Sequence, residues 1–428
     1  MKATRQDAVP ARRGPRPLPQ HLAVAGVSWL SSPGAWRLWS GVSKSSKRPA
    51  AGPVPSPPPE LESALAGVDP EAFAGALETE ALLRLERLAI GIERYQSHPY
   101  RREGGEPPAI WRQGTTRLLD YSAGAAGTSR PPRRGRAASA APVLVVPSLV
   151  NRAYVVDLEP QRSFMRFLAG AGYAPYLVDW DAPGEIERGF DLTDYIAGRL
   201  SAALDVVAAR HARAKIHLVG YCMGGNLALA LALRRAASLA GLVLLATPWD
   251  FHAERAEQAE ALGALGELLA PAIAASGELS VDGIQSLFGV LDPLQVSRKF
   301  LAFGALDPGS AKAQAFVALE DWVNDGVPLA AAVAIECLGG WYGRNSPMRG
   351  EWRIGGRPVL PRDVSVPALV VLPDQDRIVP PASAAPLAAA IPGADSLRPE
   401  AGHIGMMVGG GAETKLWQPL LAWLRARA

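Results

Sequence analysis

From Pro142 onward, short apolar runs alternate with longer amphipathic stretches. The runs are Val143–Val146, Tyr173–Trp180, Ile216–Gly220, Gly241–Ala246 and Ala368–Leu372. A strand that is apolar at successive positions is buried on both faces, as in a parallel sheet covered by helices. The intervening stretches 192–212 and 225–237 read as crossover helices, so the pattern predicts a doubly wound α/β domain. Upstream, Ala81, Leu82, Leu85, Leu88, Ala89 and Ile92 recur at helical spacing within 61–97. A strand pair is expected around Ile110-Trp111 and Arg117–Tyr121. Between Asp250 and about Asn345 the alternation stops, and an Ala/Leu-rich helical stretch intervenes, placed to cap a site. The expected organisation is an arm over 1–60, a helix and strand segment over 61–121 and a low-complexity loop over 122–141. The first core part follows over 142–249, then a cap insertion over 250–345 and the second core part over 346–428.

Composition adjusts this plan at its ends. The chain has 428 residues, 48% hydrophobic and 20% charged, enough for a large single core. The net charge of +3 is unevenly spread: residues 1–50 carry nine Lys/Arg against Asp7 alone. A basic, Pro-containing, acid-poor head is expected to be a disordered arm. Nucleic-acid binding is not expected, because no basic patch with interleaved aromatics recurs in the folded part. The segment 21–42 is apolar and Trp-bearing, but Ser31, Ser32, Pro33 and Arg37 break it, so no transmembrane segment is expected. With no apolar run of secretory type behind the first charges, the expected location is cytoplasmic. Cys222 and Cys337 are too few for a disulfide framework, and a lone Cys in such a chain is first tested as a nucleophile.

Cys222 stands in Gly220-Tyr-Cys222-Met-Gly224-Gly225, directly after the run 216–220 and before a helical stretch. A nucleophile on a sharp strand-to-helix turn needs small residues two positions either side, because side chains there collide across the turn. Gly220 and Gly224 meet this demand. The sulfur then lies at a helix N-terminus, which favours thiolate, and the Met223 amide is placed as an oxyanion donor. In this topology acid and base follow the nucleophile in that order. His403, glycine-flanked and near the C-terminus, is the base that leaves room for an acid. His21 and His98 precede the sheet, His211 ends a crossover, His217 lies within a strand, and His252 sits at the cap entrance. The acid is Asp376, preferred over Asp374 because Ile378-Val379-Pro380 would anchor its loop. Cysteine suits transfer from one thioester to another acceptor, although a cysteine hydrolase stays open at this point. No metal and no permanently bound cofactor is expected.

Several blocks together resemble the polyhydroxyalkanoate synthases, within the α/β-hydrolase superfamily, nearest their short two-subunit type. They are Val146-Pro-Ser-Leu-Val-Asn151 through Pro160, Tyr176-Leu-Val-Asp-Trp180, the Cys222 box and Ala246-Thr-Pro-Trp-Asp250-Phe251. Trp322-Val-Asn-Asp-Gly-Val-Pro328, Arg349-Gly-Glu-Trp-Arg-Ile-Gly-Gly356, Asp376-Arg-Ile-Val-Pro380 and Gly402-His-Ile-Gly405 complete the set, in the family's order over about 100–428. The resemblance implies an acyltransferase that polymerises (R)-3-hydroxyacyl-CoA with release of CoA. Cys222 would carry the chain as a thioester, His403 would deprotonate Cys222, and Asp376 would help activate the incoming hydroxyl. Val150 is the candidate for the second oxyanion amide. Implied partners are the hydroxyacyl-CoA, the polyester granule surface, and a second copy or a partner synthase subunit. A thioesterase or intracellular depolymerase is the competing enzyme, and a granule scaffold the non-catalytic alternative. Cys337, on a helix of small residues in the cap, reads as packing. The first hundred residues and the Arg-rich loop 122–141 depart from the family pattern.

Overall fold

The apolar runs become strands of one eight-stranded sheet: β1 (Ala109–Gln113), β2 (Thr116–Asp120), β3 (Pro142–Val146), β4 (Ala174–Asp179), β5 (Ile216–Tyr221), β6 (Leu239–Leu245), β7 (Ala368–Val371) and β8 (Asp395–Leu397). Every residue of β3, β4, β5 and β7 is buried, which is why these strands carry no polar alternation. Their order is β1-β2-β4-β3-β5-β6-β7-β8. β1 and β2 form an antiparallel hairpin, and β2 meets β4 antiparallel. The remaining pairs are parallel, as expected of an α/β-hydrolase sheet. The computed structural model describes residues 12–43, 59–65, 67–122, 140–211 and 214–427.

Register brings the strand ends together. Val146 lies opposite Gly220, Tyr221 opposite Leu245, and Leu245 opposite Val371. The loops leaving β3, β5, β6 and β7 therefore emerge at one level on the C-terminal edge. The chain leaves β3 for β4 on one side and β5 lies on the other, the switch point where open α/β sheets bind ligands.

The structure departs from the sequence-based plan in four places. β8 adds a short edge strand whose first two residues are exposed and polar, so no apolar run announces it. The crossover expected over 192–212 is a π-helical turn, Asp194–Leu200, followed by the α-helix Ser201–Arg210. The third and fourth departures concern the cap and the arm, because the chain divides into two compact units. Arg101–Leu287 with Asp325–Ala428 form the hydrolase unit, and Met1–Tyr100 with Phe288–Asn324 form a helical unit. The stretch 250–345 is thus not one insertion: 250–287 and 325–345 belong to the hydrolase unit, and 288–324 do not. Of the expected arm, Leu18–Leu30 and Ser32–Ser43 are helices, while 1–11 and 44–58 lie outside the described residues, as does 123–139 of the expected loop.

Within the helical unit, Ala25, Leu88, Ile92, Tyr95, Phe300, Phe303, Ala313 and Val317 share one core. The long helix Pro70–Ser97 starts on Asp69, whose carboxylate accepts from the Ala72 amide at 3.1 Å. Gly91 lets Gln295–Gly304 approach: a Cβ there would stand 2.2 Å from the Phe300 carbonyl oxygen. Tyr95 Oη donates to Asp321 Oδ1 at 2.9 Å, and Arg12 Nε to the same oxygen at 2.7 Å. Trp36 Nε1 donates to Pro70 O at 2.8 Å, tying the second N-terminal helix to the long one. These partners lie up to 309 positions apart, so the periodicity of 12–43 alone does not reveal them.

In the hydrolase unit, the helix Ala256–Ser276 is long and apolar enough to cross a membrane by length and composition. Its glycine face is used for packing inside the unit. A Cβ on Gly263 would stand 2.3 Å from Gly343 Cα, and one on Gly266 2.5 Å from Leu338 Cβ.

Candidate active site

The chain turns from β5 into the helix Met223–Arg235 through one residue, Cys222, at φ 55° and ψ −129°. Non-glycine residues rarely adopt this region, and such strain persists only where surrounding contacts impose it. Here the Cys222 amide donates to Leu245 O at 2.8 Å, and Cys222 O accepts from the Gly225 amide at 2.8 Å. The flanking glycines are steric necessities. A Cβ on Gly220 would lie 2.5 Å from Gly224 O, one on Gly224 2.1 Å from Val146 O, and one on Gly225 1.8 Å from Thr247 Oγ1. The sulfur is a free thiol and half-buried. The Met223 amide occupies the first helical position, where no intrahelical acceptor exists.

Across the C-terminal edge, the loops after β7 and β8 bring in an acid and an imidazole, both buried. His403 Nδ1 donates to Asp376 Oδ2 at 2.6 Å. The other carboxylate oxygen, Asp376 Oδ1, accepts from the Ile378 and Val379 amides at 2.9 and 2.8 Å. Asp374, the competing acid, is exposed and instead lies 3.4 Å from the Arg398 guanidinium. Tyr221 stacks on the His403 ring at 5.2 Å and donates to the His403 carbonyl at 3.2 Å, holding the histidine loop over the elbow.

Burial by itself would lower the His403 pKa. The charge of Cys222, the hydrogen bonds to Asp376 and to Cys222, and the Asp376 charge outweigh it and raise the imidazole to about 10. The ring therefore holds its proton at neutral pH beside the sulfur. A cysteine sulfur at a helix N-terminus, hydrogen-bonded to a buried imidazole, is the arrangement that nucleophile–base pairs use.

The loop after β3 is pinned by Trp180 Nε1, which donates to Pro147 O at 3.1 Å. Within it the Val150 amide donates to Ser148 Oγ at 3.3 Å, so this proposed oxyanion donor already has a local partner. Val150 O accepts from the Val327 amide at 3.3 Å, and Arg152 pairs with Asp181 and Asp325.

The remaining histidines have other surroundings. His217 is fully buried in β5 beside Tyr173 and Trp423, neither ring nitrogen has a hydrogen-bond partner among the described residues, and burial lowers its pKa to about 4. His211 Nε2 meets Tyr176 Oη at 2.9 Å. In the helical unit, the His21 and His98 rings bond the Arg16 and Pro308 carbonyls at 3.0 and 2.9 Å. His252 Nε2 donates to Tyr342 O at 2.7 Å.

A second layer of hydrogen bonds surrounds this edge. Asp250 Oδ1 accepts from the His252 amide at 2.9 Å and from Asn345 Nδ2 at 2.8 Å, while Asn345 Oδ1 accepts from the Phe251 amide at 3.1 Å. Tyr342 and Cys337 share the π-helical turn Glu336–Gly343. Cys337 is buried, and desolvation, with Glu336 beside it, pushes its thiol well up. The block Ala246–Phe251 was the one available signal for this layer, and it pointed to the loop without its partners. Among the described residues no group of three His, Cys, Asp or Glu side chains is arranged to hold a metal ion.

Compared with known proteins, residues 141–282 match the family model described as the alpha/beta hydrolase fold. An esterase from Thermogutta terrifontis superposes with a TM-score of 0.45 at 20% identity, covering 76% of this chain and 98% of the esterase. The poly(3-hydroxyalkanoate) polymerase subunit PhaC of Haloarcula marismortui is 27% identical over 331 residues, 76% of this chain and 69% of the relative. The subunit of the same name from Synechocystis sp. is 32% identical over 298 residues, 67% of this chain and 78% of that relative. With that identity spanning more than three quarters of a polymerase subunit, the chain belongs to the poly(3-hydroxyalkanoate) polymerase family.

Proposed function

We propose that this chain is an acyltransferase that joins (R)-3-hydroxyacyl groups from their CoA thioesters into a polyester, with Cys222, His403 and Asp376 as its catalytic residues. The observation that carries the reading is the geometry of His403, held by Asp376 at 2.6 Å and hydrogen-bonded to the strained Cys222. In the loading step the Cys222 thiolate attacks the thioester carbonyl. The C–S bond to CoA breaks, and the leaving thiolate takes the proton held on His403 Nε2. In the transfer step the hydroxyl of another hydroxyacyl-CoA attacks the Cys222 thioester. Its proton passes to His403, the ester C–O bond forms, and the Cys222 thiolate is restored. Each added unit makes one ester and releases one CoA. Asp376, fixed by two backbone amides, keeps the imidazole oriented and stabilises its charge in both steps. The Met223 amide faces the developing oxyanion, with the Val150 amide as a second donor once Ser148 Oγ releases it.

CoA is a substrate group here, and the energy of its thioester drives ester formation with no further activation. Relatives named as polymerase subunits favour a partner synthase chain for this one as well. The product favours a cytoplasmic location at the granule surface. The test is incubation with 3-hydroxybutyryl-CoA, following free thiol and recovered polymer. CoA release with polymer is expected, and Cys222→Ala should bring release to background. Free hydroxy acid without polymer would make the protein a thioesterase or depolymerase instead.

A further inference from the structure

The sterics of the elbow account for Gly220, Gly224 and Gly225, but the residue between Gly220 and Cys222 is a tyrosine that the turn itself does not require. Tyr221 is the last residue of β5, set opposite Leu245 of β6, and its side chain is buried. One peptide bond joins it to Cys222, whose amide donates to the carbonyl of the same Leu245 at 2.8 Å. The nucleophile and this ring therefore share one anchored stretch of backbone.

The bond from His403 Nδ1 to Asp376 Oδ2, at 2.6 Å, fixes one atom of the imidazole and leaves the ring able to tilt about that contact. Tyr221 supplies two further restraints. Its ring lies against the imidazole with centroids 5.2 Å apart and planes 27° from parallel, which limits the tilt. Its hydroxyl donates to the His403 carbonyl at 3.2 Å, which fixes the height of that main chain above the elbow. Burial, with the charges of Cys222 and Asp376 behind it, keeps the phenol neutral and so an O–H donor. The face of an aromatic ring also attracts a cation, so the stack favours the imidazolium form of His403 over the neutral one. Base and nucleophile are thereby registered through two consecutive residues, although 182 positions separate Tyr221 from His403.

We propose that Tyr221 is a positioning residue for acyl transfer, its ring setting the plane of the His403 imidazole and its hydroxyl setting the height of the His403 main chain over Cys222. The inference rests on the reading of Cys222 and His403 as nucleophile and base. Tyr221→Phe keeps the stack and removes the hydroxyl, whereas Tyr221→Leu removes both. Losing the hydroxyl bond should lower kcat for CoA release by about tenfold, with KM changed only a few-fold. Losing the stack as well should lower kcat by about 10²-fold, the cost of a small misplacement of a reacting group. The pH midpoint of iodoacetamide alkylation, followed on the Cys222 peptide, should stay at the parent value in Tyr221→Phe. In Tyr221→Leu it should rise by about half a unit or more, because the imidazolium that supports the thiolate loses its stack. A kcat of Tyr221→Phe within about twofold of the parent overturns the proposal. So does an unshifted alkylation midpoint in Tyr221→Leu, which would mark a packing role. If Tyr221→Leu does not fold, the kcat of Tyr221→Phe decides alone. Cys222→Ala is assayed in parallel: turnover surviving there sinks the nucleophile reading itself, a separate outcome.

Discussion

In the hydrolase unit a methyl on Gly224 would stand 2.1 Å from Val146 O, and in the helical unit one on Gly91 would stand 2.2 Å from Phe300 O. The steric demand is nearly the same, yet the surroundings differ. At the elbow the close approach forces a neighbouring cysteine to φ 55° and leaves its sulfur half-buried beside an imidazole. At the helix crossing, apolar side chains such as Leu88 and Phe300 fill the space around ordinary helices. Among the described residues, the four non-glycine residues at positive φ are Asp181, Cys222, Ala246 and Asn345. All four belong to the hydrolase unit, in the loops after β4, β5 and β6 or, for Asn345, just beyond the π-helical turn Glu336–Gly343. Close packing alone is therefore a sign of a core, whereas close packing joined to backbone strain at reactive residues is a sign of a site.

The sharpest way to break this contrast is Gly224→Ala. The added methyl meets backbone that cannot rotate away, so CoA release should drop to background and the soluble yield should fall. Near-parent activity would show that the elbow tolerates displacement. Next in size is the comparison of the two acids after β7. Asp376→Asn should lower kcat by about 10⁴, the loss seen when a triad acid loses its charge, because His403 loses its charged partner. Asp374→Asn should stay within about twofold; equal losses in the two variants would remove the distinction drawn from their hydrogen bonds.

Gly91→Ala carries the comparison into the helical unit. Overpacking of a core by one methyl typically costs about 1–3 kcal/mol, read as a lower denaturation midpoint, and activity per folded molecule should persist. The smallest effect is expected at Glu336. Burial raises its carboxyl to about 7, against a hydrogen bond from Trp352 Nε1 at 3.0 Å. An acid whose folded pKa lies above its unfolded value of 4.5 binds protons preferentially in the native state, so stability declines as pH rises from 4.5 to about 7. Glu336→Gln should raise the urea midpoint at pH 8 and lose that advantage as pH falls toward 4.5. A pH-independent gain would place the effect in packing.

The parts of this protein that were legible in its sequence are those governed by neighbours along the chain. Apolar runs marked β3 to β7 because a strand buried on both faces has no polar alternation to hide. Gly220, Gly224 and Gly225 marked the elbow because the collisions they avoid lie within a few residues or at the adjoining strand ends. Chain order singled out His403. The Ile378-Val379-Pro380 segment likewise favoured Asp376 over Asp374; what needed the fold were long-range contacts, such as where the Val150 amide points and that the Tyr342 carbonyl meets His252 on the loop after β6. The helices at 18–43 and 288–324 belong to the same class, since their apolar faces find partners in other segments, from tens to hundreds of residues away. Local sterics act between residues that sequence spacing already places, whereas hydrogen bonds and cores form between surfaces that only the folded chain brings within reach.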